Sequence, residues 1–434
     1  MSTLIKQSQS TVKQNNLRLI LSTIIRHEPL SRADLVRRTQ ISKPTVSSLI
    51  DELRERGLIS EIGVGPSRSG RKPILLRFES DRRRFLAFEM GRAAFRIALA
   101  DLKGRIVELS EVVSTSGSSP LRGPTEPRLE LLGKAVVELL DKTGTERDRL
   151  LKAICIAPGV YVEPGKALRW MPAGGAPEGA NRASPDPSGY FRELLGLDVL
   201  LYHSTKAALL GEWVAGKARG CSSALYVDFA YGLGCAIMID GRVYSGPGES
   251  AGEIGYFYSS PEEHRRLTVR PFELGALEQK ISGKALADRA REELRKHPEG
   301  TLATLAGGME SRASARHVFE AYRAGDVRAA AILKEAFSYF NTALCNVINL
   351  LAPERVILGG GFSESGDILL ELIAPGIHDK VLIPPRLEIS ELKNRASLIG
   401  GIHYLIEHTD FLTELADRRV PGAVEVREPE GGTS

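Results

Sequence analysis

Apolar positions recur at helical spacing through the first sixty residues of the chain. Between Asn15 and His27 they fall on one face of a predicted helix. A second, short helix is indicated from Ser31, because a serine cap is followed three residues later by the acidic Asp34. A third helix is predicted to begin after a second cap, Ser42, and to end at Gly57. Its apolar stripe, which should face the core of a small domain, is Val46, Leu49, Ile50 and Leu53.

A basic hairpin is predicted to follow the third helix. Leu58 to Ile62 and Ile74 to Phe78 have the pattern of short strands, and a Gly/Ser/Pro loop with three basic residues joins them. This order is typical of a winged helix-turn-helix, in which the third helix enters the major groove and the wing contacts phosphates or the minor groove. The alternative is a small helical domain with a solvated, charged hairpin.

We expect double-stranded DNA to be the partner of this head. The residues expected to contact it share a position at a helix start, on the polar face of the third helix or in the wing. They are Ser31, Arg32, Ser42, Lys43, Thr45, Ser47, Ser48, Arg68, Arg71 and Lys72.

From Phe85 onwards strand patterns alternate with helical patterns, which predicts an α/β body. Two stretches of this body resemble each other. In each, a strand holding an acidic residue, Glu89 or Asp228, runs into a turn that contains glycine, and a second strand and a tight acidic turn follow. This weak internal duplication indicates two similar lobes that face a cleft.

Charge is distributed unequally between the head and the body. Residues 1–84 hold 17 Lys and Arg against 8 Asp and Glu, a net charge of +9, whereas the remainder holds 41 against 46, a net charge of −5. A basic head on a mildly acidic body is typical of a DNA-binding module attached to a domain that does not touch DNA. A membrane surface could also attract a basic head, but an amphipathic helix with aromatic anchors is missing.

A cytoplasmic location is expected from the remaining composition. No apolar run reaches the roughly 18–20 residues that a membrane span needs, and the N-terminus lacks the apolar core of a signal peptide. The four cysteines are scattered without a CxxC pair, which is typical of buried thiols in a reducing compartment.

Several motifs along the span from about Asn15 to His408 resemble the ROK family, which groups sugar-responsive repressors with sugar kinases. They are the winged segment with its GRKP tip, then IAPGV, GPGESAGEIGY and PERVILGGGFS. A winged head before such a body resembles the repressor branch, of the xylose- and N-acetylglucosamine-repressor type. The resemblance implies an actin-like, hexokinase-type body of two α/β lobes with a sugar site between them. It also implies a homodimer or higher homo-oligomer that reads two half-sites.

The resemblance gives the expected division of the chain. The head should span residues 1–80 and the first lobe residues 81–200, with residues 395–414 returning to it. The second lobe, with dimerisation helices, should span 201–394, and residues 415–434 should form a polar, disordered tail. Residues 1–13 are also expected to be mobile.

The sequence departs from the family's kinases where they carry out catalysis. Transfer of a phosphoryl group to a sugar hydroxyl needs a carboxylate base and a phosphate cradle with hydroxyl donors. The kinases hold the base in an Asn-Asp-Ala-Asn run, where this chain has His203, Ser204, Thr205 and Lys206. Both phosphate turns that normally carry threonine lack it, since they read Glu89 to Ala93 and Ala230 to Gly232. Only the glycine turn Gly359 to Gly361 keeps its form. We therefore expect no kinase activity, no catalytic residue and no cofactor.

The family's structural zinc site is not expected either. Tyr256 stands where the family has a zinc-binding histidine, and the segment after it, HRRLTVRPFELGALE, contains no cysteine. Zinc needs about four ligands in tetrahedral geometry. No such group is found in the sequence.

Part of the family's sugar site is retained. Glu253 and Glu278 match two glutamates that accept hydrogen bonds from sugar hydroxyls in the family. The alternative for Glu253 is a structural acceptor that caps its glycine turn. Since the neighbouring polar groups are changed, the family's usual hexoses should be rejected. The residues expected to bind an effector are His203, Ser204, Lys206, Glu253, Tyr256 and Glu278.

Our hypothesis for the effector is a modified, phosphorylated or acidic sugar that is met by His203, Lys206 and Arg92. The favoured function is a transcriptional repressor with a non-catalytic body. Two alternatives remain open at this point: a sugar kinase that retains a DNA-binding head, and a ligand-independent regulator whose body only dimerises.

Overall fold

The computed structural model of the chain describes residues 9–65, 72–91, 94–113, 125–158, 160–162, 168–170, 187–267 and 274–417. Predictions that fall on Arg68, Arg71 and Arg92, on residues 1–8 and on residues 418–434 lie outside these ranges.

The head is a three-helix domain with a small antiparallel sheet. Its helices are α1 (Gln9–His27), α2 (Arg32–Thr39) and α3 (Lys43–Glu55). Its strands are β1 (Leu30–Ser31), β2 (Ile59–Val64) and β3 (Ile74–Phe78), in the order β1-β3-β2. The predicted buried stripe of α3 is confirmed, since Val46, Leu49, Ile50 and Leu53 are buried. The helix α1 begins at Gln9 rather than Asn15, so the prediction that residues 9–13 are mobile was wrong.

The first lobe is built on a five-stranded sheet in the order β10-β7-β4-β5-β6. Its strands are β4 (Arg84–Met90), β5 (Ala94–Ala100), β6 (Ile106–Val113), β7 (Leu150–Ala157) and β10 (Val199–His203). The helices α4 (Thr125–Lys142) and α5 (Pro187–Leu195) share one apolar core with the sheet. A short ribbon, β8 (Val160–Val162) and β9 (Leu168–Trp170), lies beside it. Because β10 continues to His203, this lobe extends three residues beyond the predicted boundary at 200.

The second lobe repeats the same sheet. Its strands are β11 (Ala224–Phe229), β12 (Leu233–Ile239), β13 (Arg242–Tyr244), β14 (Arg355–Gly360) and β15 (Arg386–Ile389), in the order β15-β14-β11-β12-β13. In both lobes the first three strands of the sheet pair antiparallel, and the last two add in parallel on the other side. The predicted internal duplication is therefore confirmed.

Helices complete the second lobe. They are α7 (Pro261–Arg266), α8 (Glu278–Ile281), α9 (Gly283–Lys296), α10 (Thr301–Leu305), α11 (Ala315–Arg323), α12 (Val327–Leu351) and α13 (Gly366–Ile377). The long helix α12 and its neighbours cover one face of the sheet, where Phe229, Phe337, Phe340 and Phe362 form an aromatic core.

Two helices lie between the sheets of the two lobes. The helix α6 (Ser204–Ala215) packs on β11 and β12, and α14 (Ala396–His408) packs on β4, β5 and β7. The two helices also pack on each other at glycines. A Cβ atom on Gly211 would overlap the carbonyl oxygen of Ala396, and one on Gly400 would overlap that of Ala207. This close contact joins the lobes, and α14 is the predicted return of the chain to the first lobe.

A last helix, α15 (Phe411–Asp417), attaches the head to the body. It packs against α1 of the head and against β7 of the first lobe. Phe411 meets Phe85 edge to face at 5.3 Å between ring centroids, and Leu415 is 0% exposed. The predicted start of a polar tail at residue 415 was therefore wrong, because Leu415 belongs to the apolar core that the head and the first lobe share.

Candidate DNA interface and effector cleft

The recognition helix α3 presents a polar N-terminal end. Its cap is Ser42, whose hydroxyl accepts a hydrogen bond from the Thr45 amide at 3.4 Å and lies 2.8 Å from the Thr45 hydroxyl. Lys43 and Ser48 are exposed, and Thr45 and Ser47 are half-buried. These side chains lie opposite the buried stripe, so short polar groups and one cation are available to base edges and phosphates.

Two of the predicted DNA contacts have internal partners instead. Ser31 is 4% exposed, and it forms a capping box with Asp34, in which each side chain accepts a hydrogen bond from the other's backbone amide. The Arg32 guanidinium donates to Asp51 at 2.7 Å and lies 3.7 Å from Glu61. Ser31 therefore shapes the start of α2, and the charge of Arg32 is compensated beside α3.

The tip of the wing is only partly described. Lys72 is exposed at the edge of the described residues, next to the β2–β3 hairpin. Arg68 and Arg71 lie outside the described residues, so their role stays a prediction.

Of the predicted effector residues, Lys206 contacts the loop at Ser245 and Glu249, and the charges of Lys206 and Glu278 both act on Glu253. We call the region formed by the N-terminus of α6, the loop 245–256 and the start of α8 the effector cleft; that it binds an effector stays a prediction. His203 caps α6, since its Nδ1 atom accepts a hydrogen bond from the Thr205 amide at 3.2 Å. Burial and, to a smaller extent, the nearby charge of Lys206 lower the pKa of His203 to about 4, although Glu249 offsets part of this effect. The imidazole is therefore neutral at pH 7, and Ser204 follows it half-buried at the first position of α6.

Lys206 is not available to a ligand. It is 1% exposed, and its ammonium donates to the Glu249 carboxylate at 2.7 Å and to the Glu249 carbonyl at 2.7 Å. The expectation that Lys206 meets an acidic or phosphorylated effector was therefore wrong, because its charge is compensated inside the protein.

Glu253 lies in the cleft with its side chain exposed. Partial removal of water raises the pKa of Glu253, the negative charge of Glu278 raises it further, and Lys206 offsets part of this effect. Tyr256, half-buried, ends the 3₁₀ turn that follows Glu253. A carboxylate in this position can accept hydrogen bonds from the hydroxyl groups of a sugar.

Glu278 has a structural task in the same cleft. One of its carboxylate oxygens accepts a hydrogen bond from the Leu233 amide at 2.8 Å, and the other accepts one from the Gly275 amide at 3.2 Å. The carboxylate also leaves no room for a Cβ atom on Gly232. Glu278 therefore holds the turn between β11 and β12 in place.

Two carboxylates from different lobes lie close together at the ends of β4 and β11. Glu89 of the first lobe pairs with Arg96 at 3.0 Å. Burial and the charge of Glu89 together raise the pKa of Asp228 in the second lobe to about 6, although Arg96 offsets part of this effect. These two turns would hold phosphates in a kinase. The described residues at or beside them include the carboxylates of Glu89 and Asp228, the cation Arg96, which is paired with Glu89, and the exposed Tyr231.

Sequence reasoning missed two contributors to these sites. Glu249 clamps Lys206 from a backbone with φ of +62°, which no local pattern indicates for a glutamate. Glu28 of the head accepts from the Phe78 amide at 2.6 Å and pairs with Lys103 in the β5–β6 turn. The pair of Glu28 and Lys103 could not be predicted from the sequence, because the two residues lie 75 positions apart.

Two further kinds of feature are absent from the part of the chain that the structure describes. In that part of the chain, no cluster of three or more His, Cys, Asp or Glu is arranged to hold a metal ion. The helices described there include none that is long and apolar enough to cross a membrane.

Comparison with known proteins matches both parts of the chain. The family model described as the ROK family matches residues 85–408, and that described as the MarR family matches residues 18–68. The xylose repressor of Caldicellulosiruptor bescii is 26% identical over 405 residues, which cover 92% of this chain and 97% of that protein. The DNA-binding transcriptional dual regulator NagC of Escherichia coli K12 is 23% identical over 400 residues, which cover 89% and 91%.

Solved structures match in fold. A ROK family transcriptional regulator described as a homolog of the E. coli MLC protein superposes with a TM-score of 0.70 at 23% identity, over 94% of this chain and 99% of that chain. A ROK family glucokinase from Streptomyces griseus, in complex with glucose and AMPPNP, superposes with a TM-score of 0.59 at 21% identity, over 74% and 98%. At these identities the likeness shows the fold, a winged head on an actin-like body of two lobes.

Proposed function

We propose that this chain, which belongs to the ROK family, is a DNA-binding transcriptional repressor whose body binds a sugar or a sugar-derived effector without catalysis. The observation that carries the proposal is the capped helix α3, whose polar end is exposed on a head that is firmly attached to the two-lobed body. Relatives that match over more than nine-tenths of their own length are named xylose repressor and N-acetylglucosamine repressor. DNA would be bound by the N-terminal end of α3 and by the wing.

The body can pass a change in the cleft to the head through packed helices. The effector cleft includes the N-terminus of α6, and α6 packs tightly on α14. Only two residues separate α14 from α15, which packs on α1 of the head. A ligand that binds the open and closed forms of the cleft unequally would therefore shift the position of the head, which is the condition for allosteric control.

A homodimer, or a higher homo-oligomer, fits this mechanism. A winged head reads about one half-site, and two heads related by a twofold axis read two half-sites separated by whole turns of DNA, roughly 34–36 Å each. A change in the cleft that moves both heads would change their spacing and so the affinity for the operator.

A sugar kinase with a DNA-binding head is the second candidate, favoured by the structural likeness to ROK glucokinases. Against it, Ser204 occupies the position of the base, and the hydroxyl of serine cannot accept a proton near neutral pH without help. A coupled assay of ATP consumption over a panel of sugars distinguishes the two. ATP turnover that depends on a sugar would overturn the non-catalytic assignment.

Protection mapping on the DNA upstream of the protein's own gene, repeated over a salt series, tests the repressor function. We expect two protected half-sites and an affinity that falls steeply as salt rises. Lys43→Ala should weaken binding to all sequences, whereas Ser47→Ala should change the sequence preference. Lys334→Ala is the matched control, because Lys334 is an exposed lysine of the body on α12.

No protection on that DNA, followed by no enrichment of any sequence from a pool of genomic fragments, would overturn the DNA-binding function. A third possibility, a regulator without a ligand, would be favoured by a footprint that no sugar changes.

A further inference from the structure

A buried lysine in the effector cleft has all of its hydrogen-bonding capacity used by one loop. The ammonium of Lys206 is surrounded by three acceptors: the Glu249 carboxylate at 2.7 Å, the Glu249 carbonyl at 2.7 Å and the Ser245 carbonyl at 3.4 Å. An ammonium has three donors, so each proton has a partner. A charge this deeply buried is tolerated only when it is paired in this way.

The loop that Lys206 holds has an unfavourable backbone conformation. Gly246, Gly248 and Gly252 have φ of 65°, 66° and 95°, which glycine adopts readily, but Glu249 among them has φ of 62°. For a residue with a side chain, this left-handed conformation costs of order 1–2 kcal/mol. The structure around Glu249 must supply that energy, and the two contacts to Lys206 are the polar contacts of Glu249 in the described structure.

The same loop carries the exposed carboxylate of the cleft. Two backbone hydrogen bonds close the loop, from the Ala251 amide to Ser245 at 2.9 Å and from the Ile254 amide to Gly252 at 2.7 Å. Glu253 lies within the second closure, two residues after the end of the first. Its position relative to α6 therefore depends on the conformation that Lys206 and Glu249 hold together.

We propose that Lys206 and Glu249 form a positioning clamp, which fixes the loop 245–253 against α6 and so places Glu253 for the ligand without touching the ligand. The clamp rests on the proposed effector site. In this arrangement the ligand gains no cation from Lys206, and His203 beside it is neutral, so neither residue provides a charge partner for a phosphate or an acidic sugar.

Three variants separate positioning from stability. Lys206→Met removes the ammonium and keeps most of the apolar side chain, and it leaves a strained Glu249 without its partner. Glu249→Gly relieves the backbone but removes the only carboxylate that pairs with the buried Lys206 in the described structure, leaving its ammonium with the backbone carbonyls of residues 245 and 249. The double variant Lys206→Met, Glu249→Gly removes both the charge and the strain, so its thermal stability should return close to that of the wild type, while the clamp remains absent.

Hydrogen exchange of the amides in residues 245–255 measures the loop directly. We expect exchange about tenfold faster or more in all three variants, including the stable double variant, because the loop opens locally without its clamp. Exposed Lys284, which pairs with Asp288 on α9, provides the control variant Lys284→Met, whose exchange in this loop should match the wild type. Wild-type exchange in the double variant would overturn the clamp.

Calorimetry with D-glucose, D-xylose and N-acetyl-D-glucosamine tests the effect on the site. A sugar that binds the wild type should lose about tenfold or more in affinity in the double variant despite its restored stability. Equal affinity would show that the two residues are merely structural and would overturn positioning. If the wild type bound none of the three sugars, the hydrogen-exchange comparison would decide the clamp, and an intact DNA footprint would leave the repressor function standing.

Discussion

Replacing Asp228 by asparagine should stabilise the protein at neutral pH. Asp228 lies at the end of β11, and Glu89 faces it from the end of β4 in the other lobe. Exclusion of water, together with the charge of Glu89, raises the pKa of Asp228 from 3.8 to about 6. The native protein thus binds this proton more tightly than the unfolded chain does. Between about pH 4 and pH 6 the stability contributed by Asp228 therefore falls as pH rises. Above about pH 6 the carboxylate is ionised in both states, and its burial destabilises the native state by the full amount.

The size of the effect follows from the shift. A rise of about 2 pKa units corresponds to about 3 kcal/mol at 1.36 kcal/mol per unit. Since Asp228 is not fully buried and Arg96 offsets part of the repulsion, we expect a gain nearer 1–2 kcal/mol for Asp228→Asn above pH 6. Well below pH 4 the variant and the wild type should approach equal stability, because the carboxyl group is then neutral in both states.

Denaturant unfolding at half-unit steps from pH 4 to pH 8 measures the difference. Asp240→Asn is the matched control, because Asp240 is an exposed residue in the β12–β13 turn with φ of 51°, which asparagine also tolerates. The reasoning would be refuted by parallel pH profiles for Asp228→Asn and the wild type, or by a variant that is less stable than the wild type at pH 8.

Three further changes test the head and its attachment. Ser42→Ala removes the cap of α3 and should cost about 1 kcal/mol of stability, measured by thermal unfolding, with weaker binding of DNA; unchanged stability would contradict the cap. Asp51→Asn removes the nearer of the two carboxylates beside Arg32 and leaves Glu61 at 3.7 Å, so DNA affinity should rise and the salt slope should steepen by up to about one unit; an unchanged slope in a binding titration would count against this. Leu415→Ala should cost about 2–5 kcal/mol in the packing of α15, and hydrogen exchange should report faster opening of both α15 and α1; an effect confined to α15 would show that the head does not depend on this helix.

The DNA-binding helices were predictable because their signals are local. A serine cap, the spacing of Val46, Leu49, Ile50 and Leu53, and a glycine at the end are all contained within sixteen residues. The same holds for the duplication of the two lobes, since each strand pair and its acidic turn are contiguous in sequence. Corrections arose where an element depends on a distant partner. Leu415 follows a polar stretch and precedes a polar tail, and it is buried only because α1 and the first lobe meet there.

The predictions about the effector cleft also separate into a part that local motifs supplied and a part that depends on distant contacts. Motif positions alone predicted His203, Glu253 and Glu278 as parts of one site; the structure places Glu278 near Glu253, and the binding of an effector there stays a prediction. Their roles were decided by tertiary contacts: Glu278 is bound to two backbone amides, and Lys206 is neutralised by Glu249. A lysine looks the same in the sequence whether it is free or paired.

The sequence by itself determined the class of head, the alternation of strands and helices in the body and the loss of the kinase pattern, because caps, periodicity and motif residues act over a few positions. Only the tertiary structure decided which charges are free, where the head attaches and which carboxylates share the cleft. Those properties depend on distances between residues far apart in the chain and on how much water remains around them, and the order of the residues specifies neither directly.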